Sequence, residues 1–315
     1  MGKLNHFFIL LTMTFCCFAA TDRIFVSNEH DNSVSVIDIK TKKVIETIAI
    51  GTRPRGIGIS PDKDEIYVAV SGENRIAVID TKTLNVKRSF ASGNDPEAFA
   101  VHPNGNLYIS NEEDAKASVY DPLNGALLAE IEVGIEPEGV AISPDGKRVI
   151  VTSESTNMLH LIEVPSHKIL QNILVGARPR SACFSPNGKL AYATSEISGE
   201  VKKIEVSSGK ILNKNSLTNN SAKPKDVLTS LDGSLLYIAG GRANKVFVLN
   251  AESLETIKVI PVGKRVWGLA LSRDGKTLYS TDGVDNQVSV IDTVSNSRIT
   301  TIEVGKFPWG IVIDD

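Results

Sequence analysis

The chain has 315 residues, with 34 Lys and Arg against 37 Asp and Glu and a net charge of −3. That length allows one large domain or two average ones, and the near balance of charge argues against a nucleic-acid binder. The apolar share, 42%, is enough for a sizeable core, and no low-complexity or like-charged run marks a disordered tail.

The opening stretch, MGKLNHFFILLTMTFCCFAA, has a basic start at Lys3, an apolar run from Phe7 to Phe18 and two closing alanines. This is the layout of a secretory signal peptide over residues 1–20, with cleavage expected after Ala19 or Ala20 and a periplasmic or secreted mature chain of residues 21–315. Cys16 follows Phe15 and Cys17 follows Cys16, neither the small residue that lipid attachment requires. Cys183 is then the single cysteine of the mature chain. An exported protein without an internal disulfide must rest on its core alone, and Cys183, in the run SACFSP, reads as a buried structural thiol.

From Ile24 onward a unit of about 42 residues repeats seven times. Its first strand reads IFVSN, IYVAV, LYISN, VIVTS, AYATS, LYIAG and LYSTD in successive copies. The second ends in an acid or amide at Asp38, Asp80, Asp121, Glu163, Glu205, Asn250 and Asp292. A third strand follows, as in KVIETIAIG, and then a fourth, as in RPRGIGIS, which runs into turns such as SPDKD, SPDGK and SPNGK. Short runs of alternating Val, Ile, Tyr and Ala suit a packed sheet. Ser-Pro-Asp-Gly sets φ at the proline and supplies a residue free to take positive φ, which closes a hairpin. The acid ending the second strand, with Thr or Ser three residues on, can bond its own backbone and start the next hairpin, so this column reads as turn chemistry.

Four strands per unit and seven units predict an all-β fold, a seven-bladed β-propeller of four-stranded antiparallel blades. The chain starts at a first strand and ends at a lone fourth strand, PWGIVIDD. The C-terminal strand is therefore expected to pair with the N-terminal three and close the ring.

The repeated strand, VSVID and VGxxPxGVAxSPDG pattern resembles the YVTN-repeat family of β-propellers, over residues 24–315. More narrowly, RIFVSNEHDNSVSVID resembles the β-propeller proteins associated with pyrroloquinoline-quinone-dependent catabolism. That resemblance implies a periplasmic, non-catalytic scaffold accompanying quinoprotein alcohol oxidation, with a dehydrogenase, cytochrome or transporter component as partner. A monomer without cofactor or metal of its own is expected. The alternative is a lactonase-like hydrolase or isomerase, with Glu97 or Glu138 as base and Arg55 or Arg180 as cationic clamp.

The triplets around the repeated prolines are the candidate site. In ring order they are Arg53-Pro-Arg55, Asp95-Pro-Glu97, Glu136-Pro-Glu138, Arg178-Pro-Arg180, Lys223-Pro-Lys225, Arg265-Val-Trp267 and Phe307-Pro-Trp309. The proline is expected to set an extended approach to the fourth strand. The triplets are expected at one mouth of the ring together with the fourth-to-first and second-to-third loops. Arg55 with Glu97, and Glu138 with Arg180, are expected ion pairs between blades. Lys223, Lys225, Lys264 and Arg265 have no acidic triplet beside them, and Trp267 and Trp309, the two tryptophans of the chain, stand in adjacent blades. Arg55, Arg180, Lys223, Lys225, Arg265, Trp267 and Trp309 thus form a candidate patch for an anionic small molecule or acidic partner. His30, His102, His160 and His167 fall in different columns, which argues against a zinc site, and His30 is the one at the mouth. Asn111-Glu112-Glu113-Asp114 could hold Ca²⁺ but reads more simply as an acidic surface loop. No phosphate loop, nucleophile elbow or His-Glu-x-x-His occurs, and Asn219-Asn220-Ser221 is a formal glycosylation sequon.

Overall fold

A computed structural model describes residues 20–217 and 221–315. The expected leader, apart from Ala20, and the two asparagines of the sequon lie outside the described residues.

Seven four-stranded antiparallel sheets follow one another round a ring. Blade I is built from Arg23–Asn28, Ser33–Asp38 and Lys43–Ala49, with Pro308–Asp314 as its innermost strand. The innermost strands of blades II to VII are Pro54–Ile59, Pro96–Val101, Pro137–Ile142, Pro179–Phe184, Val227–Thr229 and Val266–Leu271. Ring closure is as the sequence predicts: Arg23 pairs with Asp314, Ile24 with Ile313 and Val26 with Ile311. Thr21 reinforces it by donating both its N–H, at 2.8 Å, and its hydroxyl, at 2.6 Å, to the Asp314 carboxylate.

The core lies between blades. Tyr192 and Val201 of blade V pack with Leu236, Phe247 and Leu249 of blade VI, and Phe25 and Val36 of blade I with Ile66 and Val68 of blade II. Second strands such as Ser33–Asp38 and Arg75–Asp80 are buried on both faces, whereas outer strands such as Lys43–Ala49 are largely exposed. Cys183 packs against the cluster between blades V and VI, and burial raises its thiol far above the range in which it would ionise. The turn chemistry is as expected at both kinds of hairpin. Ser60 donates to Asp62 at 2.5 Å and Ser143 to Asp145 at 2.6 Å, while Asp38 accepts from the N–H and hydroxyl of Thr41. Among the described residues no helix is long and apolar enough to cross a membrane.

One expectation is overturned. Each innermost strand runs from its triplet to the Ser-Pro-Asp turn, so the fourth-to-first turns and the second-to-third hairpins lie at the end opposite the triplets. The triplets share their end with the first-to-second loops, which begin at Glu29, Ser71, Glu112, Glu154 and Glu196. The antiparallel rule was sound, but the triplets precede the fourth strand and so sit at its other end.

Candidate functional site at the channel mouth

A repeated device shapes the mouth. The residue before the proline is left-handed at Arg53, Asp95, Glu136, Arg178 and Phe307, and Arg265 does the same before Val266, with φ between 49° and 59°. The expected extended approach to the strand is therefore replaced by a tight turn. What holds a non-glycine residue there is a side-chain bond from the first-to-second loop one blade back. Asn32, Asn74, Asn157, Asn244 and Asn286 accept from the N–H of Arg53, Asp95, Arg178, Arg265 and Phe307 at 2.9–3.2 Å. These asparagines are themselves left-handed, a conformation their short polar side chain tolerates.

Just after the proline position, six of the seven innermost strands carry a bulge: Pro54 pairs with Val70 and Ile57 with Val68, leaving Arg55 and Gly56 opposite one residue. A bulge bends the strand and re-aims a side chain. Glu138, Arg180, Trp267 and Trp309, at bulged positions, and Lys225, from the one blade without the bulge, all line one cavity of about 170 Å³ there. Hydroxyls brace the carbonyls of these residues: Ser27 to Arg55 at 2.5 Å, Ser110 to Glu138 at 2.6 Å, Thr194 to Lys225 at 2.6 Å and Thr281 to Trp309 at 2.9 Å. Gly56, Gly139, Gly268 and Gly310 let adjacent innermost strands close in, since a Cβ on Gly139 would stand 2.5 Å from the Arg180 carbonyl.

The two expected ion pairs are present and belong to a larger network. Arg55 pairs with the fully buried Glu97 and, at 3.0 Å, with Glu29. Arg180 is 7% exposed and pairs with Glu138 at 2.7 Å, with Glu154, and with Glu196 at 3.7 Å. Arg178 adds a bond to Glu154 at 2.6 Å. Glu29, Glu112, Glu154 and Glu196, each just after a first strand, form an acidic column that the sequence reading missed. Ser71, Gly241 and Gly283 fill the same column in other blades, so identity gave no signal.

That column corrects the patch. Lys225 is not free of acids: its Nζ donates to Glu196 at 2.7 Å, and Lys264 pairs with Asp285 at 3.6 Å. Among the described residues, Lys223 and Arg265 have no carboxylate partner; Lys223 reaches only the Ile197 carbonyl, at 3.3 Å. Trp267 gathers the cations of this sector: Lys225 Nζ lies 4.2 Å from its ring centre, Arg265 5.0 Å and Arg180 5.5 Å. Trp267 and Trp309 stack with centroids 6.1 Å apart, and Trp309 Nε1 is a buried donor without an acceptor. The cavity rim therefore offers an aromatic platform, unpaired positive charge and unmet hydrogen-bond donors, Trp309 Nε1 and Arg265 Nε among them.

Electrostatics follow from burial. Loss of hydration and the nearby Arg180 pull the Lys225 ammonium down to about 7. Burial would raise Glu196, but Lys225, Arg180 and Arg178 outweigh it and hold the carboxyl below its usual range. Across the ring, burial raises Glu112, and Glu138 and Asp95 add to the effect. Asp226, on the cavity wall, is raised by burial although Leu269 N–H, Ser181 Oγ and Val227 N–H all donate to it.

Asp95, Glu97 and Glu112 bring carboxylate oxygens within 4.8 Å of one another and are the one grouping, among the described residues, that could hold a metal ion. Arg53, at 3.4 Å from Asp95 and 3.8 Å from Glu97, and Arg55 already supply positive charge there. The contiguous loop Asn111–Asp114 does not form a shared cage: Asn111 is buried and Asp114 instead accepts from the N–H and side chain of Asn94. The histidines are dispersed as expected. His30 is exposed and stacks on Phe307 at 4.0 Å, His102 bonds Asn104 and the Gly146 carbonyl, His160 bonds Asn172 and Ser153, and His167 meets the Tyr108 hydroxyl.

These features define a seven-bladed β-propeller with a cavity at the triplet end lined by paired charge and tryptophan. The family model of YNCE-like beta-propellers matches residues 8–121, and that of the lactonase, 7-bladed beta-propeller, matches residues 171–304. No curated protein matches the chain at a significant level. Solved structures that are similar include the Kuenenia stuttgartiensis hydrazine synthase, 22% identical with a TM-score of 0.79 over 86% of this chain and 92% of that one. A protein of unknown function from Desulfotomaculum acetoxidans is 17% identical with a TM-score of 0.80, over 93% and 99%. A 6-phosphogluconolactonase candidate from Bacteroides uniformis is 19% identical with a TM-score of 0.77, over 93% and 99%. At these identities the likeness speaks for the fold. The narrower resemblance to quinone-dependent catabolism proteins has no counterpart among these matches, and a non-catalytic accessory role gains no support from them.

Proposed function

We propose that the protein is a small-molecule propeller enzyme that hydrolyses a flat anionic lactone in the mouth cavity. The observation that carries this reading is the convergence of Glu138, Arg180, Lys225, Trp267 and Trp309 on one cavity. Glu97 and Arg55, the other pair considered from the sequence, do not both reach it; the lining names Glu138 and Arg180 instead. A ring lies flat on the tryptophans, its anionic group faces Arg265 and Lys223, and Trp309 Nε1 donates to a ring oxygen. Arg180 holds Glu138 through Oε1 at 2.7 Å, which orients the carboxylate to take a proton from an attacking water. The match to the lactonase propellers over residues 171–304 covers Arg180, Lys225 and Trp267 and supports the same class.

The test is hydrolysis of a panel of phosphorylated and carboxylated lactones, followed by proton release. Wild type is expected to turn over at least one, and Glu138→Gln to slow it by about 100-fold or more, the usual weight of a positioned general base. Full activity in the folded Glu138→Gln protein, or no turnover by wild type across the panel, rejects the reading. Recovery of a periplasmic protein partner by an inactive wild type would favour a binding role instead.

A further inference from the structure

We propose that Lys225 is a nucleophilic amine that captures small anionic carbonyl compounds, 2-oxo acids or aldehyde acids, as a Schiff base in the mouth cavity. The proposal uses the same cavity but does not depend on lactone hydrolysis.

Three features of the geometry converge on this chemistry. Lys225 is 6% exposed, yet it lines the cavity and faces the Trp267 ring, so the amine is shielded from bulk water and open to a bound molecule. Its hydrogen-bond partner is Glu196, 2.7 Å away, a proton acceptor placed where imine formation needs one. Arg265, 5.0 Å from the centre of the same ring and without a carboxylate partner among the described residues, is placed to receive the anionic group.

Which member of the Lys225–Glu196 pair gives up its charge is decided by the neighbours. Glu196 is shared with Arg178 at 3.5 Å and Arg180 at 3.7 Å, and guanidinium does not lose its proton in proteins. The carboxylate therefore stays ionised when Lys225 becomes neutral. Around Lys225 are Arg180 on the adjoining innermost strand, Glu138 on the innermost strand beyond it, Glu196 on the loop above, Arg265 at the same indole, and Asp226 next in the chain. Arg180 and burial oppose the ammonium, and the amine is pulled down to about 7. An amine of that kind is what a Schiff-base lysine requires.

The step balances without a further reactant. The neutral Nζ adds to the carbonyl carbon, forming C–N as the C–O π pair moves to oxygen. The two nitrogen protons pass in turn to Glu196 and on to that oxygen, the C–O bond breaks as water leaves, and the nitrogen lone pair forms the C=N bond that joins Lys225 to the carbonyl carbon.

Reductive trapping tests it. The intact protein is incubated with glyoxylate and cyanoborohydride, and the carboxymethyl-lysine formed is mapped by peptide mass spectrometry as a function of pH. Expected is a dominant adduct on Lys225 whose rate levels off above about 7, while ordinary surface lysines keep rising toward their usual pKa of about 10.4. Lys225→Arg should reduce total early labelling of lysine side chains at least about tenfold, by the share of side-chain amine that is neutral at Lys225 and not at other lysines. Mapping on wild type decides the matter even where that variant fails to fold. Labelling of Lys225 no faster than the surface lysines, or equal early labelling in a folded Lys225→Arg protein, overturns the proposal. Loss of lactone hydrolysis with Lys225 trapping intact would reject only the preceding reading.

Discussion

The two sides of the channel mouth are built on one backbone plan and end in opposite chemistry. On one side, Arg55, Glu97, Glu138 and Arg180 each meet an opposite charge from the next blade or from the loop above. On the side of Trp267 and Trp309, the same bulged positions carry rings, and Lys223 and Arg265 are left without carboxylates among the described residues. Lys225 stands at the border, bonded to an acid of the first side and facing a ring of the second. The difference teaches where to look for a ligand. Buried charges that satisfy one another position neighbouring blades, whereas unmet donors and cations over an aromatic face are available to something from outside.

The contrast predicts that the two sides fail differently. Arg180→Met should produce the largest effect, since it leaves Glu138, Glu154 and Glu196 buried with their shared cation gone. Breaking a buried ion pair from one end costs about 3–5 kcal/mol, so the denaturant midpoint should fall sharply. A shift within error of wild type would mean that this side is not a structural network. Trp267→Ala and Trp309→Ala come next. Each should weaken binding of a flat anionic ligand by about 2 kcal/mol or more, as at an interface hot spot, while lowering stability by much less than Arg180→Met does. Calorimetry and thermal unfolding on the same samples separate the two; large unfolding with unchanged affinity would make the indoles wall, not platform.

The fold was open to sequence reading because its signals repeat: the strand runs, the Ser-Pro-Asp turns, and the lone closing strand at Ile311–Ile313 all recur in fixed order. Repetition also hid things. The asparagines at 32, 74, 157, 244 and 286 recur just as regularly, but their role spans two loops about 21 residues apart and needs three dimensions to see. The end of the ring was misassigned by grouping the triplets with the turns that follow their strand. Both ion pairs and both tryptophans were found, because an unusual residue in a repeated column stands out. Glu196 was not, since its column mixes Glu, Ser and Gly, and without it Lys225 looked like a solvated rim charge.

The smallest effect concerns the unpaired cations themselves. Arg265 and Lys223 are partly exposed and have no carboxylate partner among the described residues, so neither Arg265→Gln nor Lys223→Gln breaks an ion pair or should change stability by more than about 1 kcal/mol. Their contribution to binding should be of similar size and should depend on salt. A Debye length of about 10 Å at 0.1 M, shortening to about 3 Å at 1 M, screens attraction between an approaching anion and a rim arginine. Wild-type affinity should therefore fall as salt rises, and the slope should flatten in the double variant. The tryptophan variants should keep the full slope, because they remove stacking area and leave the charge in place. If instead the double variant keeps the wild-type slope, the charge that draws the anion lies in the paired side of the mouth, and the division between the two sides does not hold for ligands.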